Sequence, residues 1–402
     1  MRRRSLLGLA GFGALLTACR APAPAPVRAA TTPSAANAWT LPVSPPVPWA
    51  TPPAGRSADA LRSVLTRYLQ PSPVHPLFPG AVVFAAVDGR VVAHFAVGEA
   101  VRYGADQAVL PPEERVAAEP GTIYDLASLT KVFTAILALR LVERGRLDLD
   151  APVVRHLPAF ADKPGITVRM LLTHTSGLSK DTPLAGATPA ERLEHVLRAA
   201  PVAPPDTGFL YADQNFIALG ALVAQLSGAP LDVLVRTQIA APLGMADTGF
   251  VPPPALLPRI AATEGALRGT VHDPSAAAFG GVAGHAGLFS TAADLALLGR
   301  TLLSGGGPLL KPSTVDIMRT DHNTRFGPGA AHGLGVDLDQ AWYMGRLAGR
   351  GAFGHTGFTG TSMVLDPRRR VVLILLTNRV HPTAAWGSGN PARKAVADVL
   401  AG

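Results

Sequence analysis

Ser128 and Lys131 stand three residues apart in Tyr124-Asp125-Leu126-Ala127-Ser128-Leu129-Thr130-Lys131, and an apolar run from Val132 to Leu139 follows them. Positions i and i+3 share a helix face. The spacing therefore predicts a hydroxyl and an amine side by side at the N-terminus of a helix that ends near Arg144-Gly145. A serine becomes a nucleophile when a neighbour takes its proton, and an amine does this once burial lowers its pKa. A helix N-terminus disfavours the ammonium and favours a developing oxyanion. The chain has five lysines among 36 basic residues, and Lys131 alone has a serine three positions before it. Arginine could not replace it, because a guanidinium keeps its proton. The plainer reading is a helix-start serine beside a surface lysine.

Other residues have the types that chemistry needs. Tyr211 precedes a helix expected over about Asn215 to Leu226. Beside a cation its phenol would have a lowered pKa; alone it is a packed aromatic. His174 closes an apolar run before a Ser-Gly turn and reads as structural. His272, Asp273 and His285 are of metal-ligating types, but they lack the i, i+4 spacing of a helical zinc motif and a further ligand, so no metal or cofactor is expected. The glycine-rich run from Gly280 to Gly287 suits a close backbone approach to a ligand. No Gly-x-Ser-x-Gly occurs, which removes the nucleophile elbow as a competing serine site.

Composition narrows the class. Cys19 is the one cysteine, so the chain has no internal disulfide, no cysteine nucleophile in a folded domain and no cysteine-based zinc site. The formal charge of +8 falls to +5 without residues 1–18 and is spread out, and only 6% of residues are aromatic, which gives no nucleic-acid footprint. Arg2 to Arg4 followed by the apolar Leu6 to Leu16 form an export signal too short to span a bilayer. Leu16-Thr17-Ala18-Cys19 resembles a bacterial lipobox, and Arg3-Arg4-Ser5-Leu6-Leu7 resembles a twin-arginine signal. Residues 1–18 are then a lipoprotein signal peptide and Cys19 the lipidated residue. Residues 19–56, rich in Pro and Ala, read as an extended tether, and 57–402 as the folded domain. The protein is expected in the bacterial cell envelope, held to a membrane by that lipid.

The positioning elements follow from periodicity. A helix is expected over Ala58 to Leu69. Strands Gly80 to Val87 and Arg90 to Val97 are joined by Asp88-Gly89, a strong hairpin signal. Near the C-terminus, strands Ser362 to Asp366 and Val371 to Asn378 flank a turn at Asp366-Pro367, and a helix over Ala392 to Leu400 closes the chain. Strands, then helices, then strands predict an α/β (α+β) fold. Its mostly antiparallel sheet is covered by helices, and the first and last strands are brought together.

Three motifs stand in order: Ser128-x-x-Lys131, Tyr211-x-Asp213 and His355-Thr356-Gly357. This resembles the serine β-lactamase and penicillin-binding protein superfamily, in its class C-like branch, over about Gly80 to Val380. Leu171 to Leu178 and Gly284 to Thr291, which includes His285, also resemble recurring stretches of it. The resemblance implies a helical subdomain packed on an α/β subdomain with the site in the cleft. Ser128 would be the acylated nucleophile, with Lys131 and Tyr211 sharing the proton shuttle. The backbone N–H groups of Ser128 and Phe358 would form the oxyanion hole. Asp213, His285, His355, Thr356 and Gly357 would bind substrate, and His355 would help hold a carboxylate when protonated. The departure is Asp213, where many relatives carry Asn. A carboxylate there only accepts hydrogen bonds, and it favours the Lys131 ammonium, shifting base duty toward Tyr211. This form looks most like low-molecular-weight penicillin-binding proteins and exo-acting muramyl-peptide amidases. The implied function is an acyl-enzyme hydrolase for amide bonds of peptidoglycan-derived peptides. An esterase, a true β-lactamase and a catalytically silent muropeptide-binding protein are the alternatives.

Cys19→Ser is expected to release the protein from membranes and leave its soluble activity unchanged. Fractionation with a high-salt wash checks this, and a variant that still sediments with membranes would remove the lipid anchor from the account.

Overall fold

The computed structural model describes residues 38–45, 48–49, 56–72, 74–180 and 182–402. The signal peptide, Cys19 and the tether as far as residue 37 lie outside the described residues.

The main sheet has seven strands. In chain order these are β1 (Gly80–Val87), β2 (Arg90–Val101), β3 (Val116–Ala117), β7 (Asp337–Leu338), β8 (Phe353–Thr356), β9 (Ser362–Asp366) and β10 (Val371–Thr377). Their spatial order is β3-β2-β1-β10-β9-β8-β7, and every pairing is antiparallel. The hairpin at Asp88-Gly89 forms as expected, with both residues at positive φ (51° and 73°), the backbone of a two-residue primed turn. The first and last strands meet as predicted, from Ala81 opposite Thr377 to Val87 opposite Val371.

β1 and β10 are apolar on both faces because both faces are covered. Val82, Phe84, Ala86, Val372, Ile374 and Leu376 enter the larger core, while Ala81, Val83, Ala85, Leu373 and Leu375 enter the smaller one. The smaller core is closed by α1 (Arg56–Tyr68) and α5 (Asn390–Leu400). The larger lies under α2 (Thr130–Glu143), α3 (Asp213–Ser227) and α4 (Ala292–Leu303), with α4 lying on the sheet and α2 packed on α3. α2 is buried around almost its whole circumference, which explains its lack of a polar stripe. Among the described residues no single helix is long and apolar enough to cross a membrane.

A second, small sheet was not evident from the sequence. It consists of β4 (Tyr124–Asp125), β6 (Leu288–Ser290) and β5 (Gly249–Phe250), in that spatial order. β4 runs directly into Ser128, so this sheet is the floor from which the nucleophile rises.

The expected tether needs a correction at its C-terminal end. Trp39 is buried and donates its indole N–H to Phe250 O at 2.6 Å. A Cβ on Gly249 would lie 2.7 Å from that indole, so the close approach requires glycine. The buried Arg236 guanidinium donates to Trp39 O (3.0 Å) and Leu41 O (2.8 Å). Trp49 packs on Phe84 at 5.2 Å under the Arg300 guanidinium. The folded unit thus begins by residue 38 and not at 57. Trp39 braces β5, two strands from the nucleophile turn. Trp39→Ala is expected to cost about 3 kcal/mol, read from urea unfolding of the soluble chain; a loss below about 0.5 kcal/mol would show that the indole contributes little.

Candidate active site

Ser128 lies at the N-terminus of α2, as expected, on a single 3-10 turn, Ala127–Leu129, that leads into the helix. The i, i+3 relation to Lys131 survives because a 3-10 turn also places i and i+3 together. The turn is strained: Ala127 has φ 47°, unusual for a residue with a side chain. Asp125 holds it there. One carboxylate oxygen accepts from Ala127 N at 2.8 Å, and the other accepts from His272 N at 2.7 Å. From the β8 side, Thr359 Oγ1 donates to Asp125 O (2.7 Å) and Thr361 Oγ1 to Leu126 O (3.0 Å). Gly357 fits only as glycine, since a Cβ would stand 2.2 Å from Leu126 O. The buried Arg393 donates to Gly357 O (2.6 Å) and Thr361 O (2.9 Å). These contacts lock the segment bearing Phe358 against the segment bearing Ser128, the two backbone amides expected to face an oxyanion.

Lys131 has no solvent exposure. Its ammonium donates to Ser128 Oγ at 2.8 Å and His285 O at 3.3 Å, and pairs with Asp213 Oδ1 at 2.7 Å. Burial pushes its pKa down, but Asp213 and then Tyr211 more than offset this and hold it above the ordinary lysine value. The expectation of an amine with lowered pKa is therefore corrected: this lysine is an ammonium. Tyr211 interacts with both Lys131 and Ser128, and its ring centre is 5.0 Å from Lys131 Nζ. Burial raises its phenol more than Lys131 lowers it, so the expected low-pKa phenol is corrected as well. Asp213 is the first residue of α3. Burial raises its pKa, but Lys131, then His285, brings it below the ordinary carboxylate value.

Behind Tyr211 stands His174, buried, at φ 57°. Its Nδ1 accepts from Ala212 N at 3.2 Å, and its ring lies 4.4 Å from that of Tyr211. It therefore supports the tyrosine, the structural role read from sequence. His355 is only 2% exposed, with Nδ1 2.7 Å from Thr356 O. Burial pushes its pKa down to about 4. At neutral pH it is uncharged, which corrects the expectation that it helps hold a carboxylate as a cation.

The three metal-type residues do not converge as a group. His272 turns to Glu264 (3.1 Å) and stacks on Phe358. His285 Nε2 pairs with Asp273 Oδ1 at 2.9 Å, and Asp273 also caps the short helix that follows it. Asp213, Asp273 and His285 bring one acidic or imidazole atom each within 4.8 Å of one another, and the cation beside them is the Lys131 ammonium. Sequence reasoning missed Asp125, Thr359, Thr361 and Arg379, and read Asp273 only as a metal-type residue. Arg379 donates to Phe358 O at 2.8 Å and covers its ring. The Thr-Gly-Phe-Thr-Gly-Thr run was a signal for two of them.

Comparison with known proteins gives the family and the fold. Residues 65–398 match the family model described as Beta-lactamase. The chain is 33% identical over 359 residues to a putative D-alanyl-D-alanine carboxypeptidase of Escherichia coli K12, covering 78% of this chain and 81% of that one. It is 32% identical over 363 residues to an N-acetylmuramyl-L-alanine amidase of Bacillus subtilis 168, covering 78% and 80%. Among solved structures, EstCE1, a hydrolase with promiscuous acyltransferase activity, aligns with TM-score 0.68 at 26% identity, over 86% of this chain and 98% of that one. A penicillin-binding protein homologue from Caulobacter crescentus shares the fold with TM-score 0.67 at 23% identity, over 86% and 97%.

The neutral, buried His355 predicts an acid-linked loss of stability. Above pH 6.5 folded and unfolded chains are both neutral at this ring. Below it the unfolded chain takes up a proton that the folded chain refuses until about pH 4. Between pH 6.5 and 5 this costs about 2 kcal/mol. His355→Gln is expected to flatten the fall of the urea midpoint between pH 7 and 5; an unchanged fall would mean that the ring is protonated in the fold.

Proposed function

The chain belongs to the β-lactamase family of serine hydrolases, and on that footing we propose that it cleaves amide bonds of peptidoglycan-derived peptides through an acyl-enzyme on Ser128, held at a membrane by a lipid on Cys19. The observation that carries the reading is the contact of the wholly buried Lys131 Nζ with Ser128 Oγ at 2.8 Å. Ser128 Oγ attacks the carbonyl and its proton leaves into the Lys131 cluster. The oxyanion is met by the Ser128 and Phe358 amides. Tyr211, beside Lys131 and Ser128, returns a proton to the departing amine. Water then repeats the sequence in reverse and frees Ser128.

Charge favours the muramyl-amide form of this reaction over the carboxypeptidase form. A D-alanyl-D-alanine end carries a carboxylate on the leaving residue, next to the scissile bond, and so does the fused ring of a β-lactam. Such a group needs a cation. His355 is neutral, Lys131 is already paired with Asp213, and Arg379 is committed to the carbonyls of Phe358, Ala384 and Gly387. Asp213 and Asp273 add negative charge close to Lys131. In a muramyl peptide the leaving residue's carboxyl is tied up in the next peptide bond, so no charge has to be accommodated there.

The test offers the soluble chain N-acetylmuramyl-L-alanyl-D-isoglutamine, a D-alanyl-D-alanine peptide and a chromogenic cephalosporin, with intact mass reporting acylation and Ser128→Ala as the blank. The muramyl amide is expected to exceed the other two in kcat/KM by about ten-fold or more. Equal or reversed rates would move the carboxypeptidase or β-lactamase form to first place.

A further inference from the structure

We propose that Asp213 is the terminal acceptor of the Ser128 proton: Lys131 passes one of its protons to Asp213 Oδ1 as it takes one from Ser128 Oγ. This rests on the acyl-enzyme reading above and names a residue that the usual serine–lysine scheme leaves out.

The argument begins with the valence of Lys131. An ammonium has three N–H bonds beyond its stem and no lone pair. Its nitrogen lies 2.8 Å from Ser128 Oγ, 3.3 Å from His285 O and 2.7 Å from Asp213 Oδ1, and the Tyr211 phenol is a further partner. The nitrogen accepts a proton from Ser128 only if one of its own leaves. Ser128 is the source, and the His285 carbonyl is not basic. Asp213 is the one anionic partner, so it can gain a proton without first losing one, and its contact is also the shortest.

The charges balance at each stage. Before attack the pocket holds the Lys131 ammonium and the Asp213 carboxylate. After transfer it holds the same ammonium, a neutral Asp213 acid and an oxyanion at the former carbonyl. Negative charge has moved from Asp213 to the oxyanion and no new charge has been created. In collapse, the acid returns its proton to Lys131, which passes one to Tyr211 as the phenol gives its own to the departing amine. Deacylation repeats the transfer with water as the proton source.

A route that ends at Tyr211 lacks this economy, because a neutral phenol keeps a new proton only after losing its own. It would first have to ionise, and burial opposes that. The surroundings of Asp213 act in both directions. The N-terminus of α3, Lys131 and His285 favour its anion, which keeps it free to accept before reaction. Asp273, whose Oδ1 pairs with His285 Nε2, adds a second negative charge that raises its proton affinity. The groups facing Lys131 are Asp213 and Tyr211. Those facing Asp213 are Lys131, His285 and Asp273. His174 and His355, both buried with lowered pKa, also feel Lys131.

The test follows the acylation rate of Ser128 with the muramyl amide under single-turnover conditions. In mixtures of light and heavy water the wild type is expected to give a bowed proton inventory, two protons moving together; a straight line overturns the relay. Asp213→Asn keeps the shape and removes the acceptor. It is expected to slow acylation about 100- to 1,000-fold at pH 7, and to gain an ascending limb with pH as Lys131, freed of its counter-charge, becomes a neutral amine. Asp213→Glu should restore part of the rate without that limb. Asp213→Asn with the wild-type rate and profile overturns the proposal. Should that variant fail to fold, the wild-type inventory still decides. A wild type that hydrolyses the amide without ever carrying an acyl group on Ser128 overturns both the relay and the acyl-enzyme reading, whereas acylation with a straight inventory overturns the relay alone.

Discussion

A lysine with no contact with water must be either neutral or fully paired, because an unpaired buried charge costs several kcal/mol. Lys131 is paired, and much of the architecture around it serves that pairing. α2 is apolar nearly all round and carries the lysine into the interior. α3 packs against it and presents Asp213 from its first residue. The Gly284-His285 segment supplies a carbonyl, and it reaches α3 because glycine faces glycine: a Cβ on Gly220 would lie 2.8 Å from Gly284 Cα. Three separate chain segments thus meet at one nitrogen. Removing Asp213 alone would leave the positive charge uncompensated, so the pair depends on both members.

The second constraint is the strained turn. A residue at φ 47° in front of the nucleophile persists only if its surroundings over-determine it. Asp125 does this from within the same strand, by taking the Ala127 amide, and it fastens the neighbouring His272 amide with its other oxygen. Thr359, Thr361 and Arg393 tie the far side of the cleft to the same turn. Each bond alone is worth about 1 kcal/mol, but they share one geometry. Together they fix Ser128 relative to Phe358 before any substrate arrives, which is where preorganised amides gain their advantage.

How much of this was legible in sequence depends on the range of the interaction. The Asp88-Gly89 hairpin and the β9–β10 pair are local and strongly patterned, and both are where periodicity put them. The meeting of β1 with β10 spans almost the whole domain, yet it was expected from the order of strands, helices and strands along the chain. β4, β5 and β6 are two or three residues long and too short to show a period. The docking of Trp39 was hidden by its Pro- and Ala-rich surroundings, because its partners, Phe250 and Arg236, lie about 200 positions on. At the site, spacing pointed to Ser128 and Lys131, and the resemblance added Tyr211, Asp213 and His355. The Lys131 ammonium was legible once Asp213 was read beside it, because a carboxylate favours that form. The neutral state of His355 was not, since it is set by burial.

Those states have a further consequence for how the cleft stabilises charge. His174, His332 and His355 are all buried behind the tyrosine, and the His174 and His332 rings lie 5.2 Å apart. Such a cluster could have made the cleft cationic. For His174 and His355, burial is the largest cause of a lowered pKa. Protonating either would also set it against Lys131. The cation in contact with Ser128 is the Lys131 ammonium, and a carboxylate 2.7 Å from it balances it before reaction. A site balanced in this way gains little by binding an anionic ground state. It gains when negative charge leaves the carboxylate and appears at the reacting carbonyl, where the ammonium and two fixed amides meet it. Binding that strengthens only as charge develops is what raises turnover, as opposed to mere affinity. An Asp at position 213 serves that end in a way that an Asn, which carries no charge to relocate, does not.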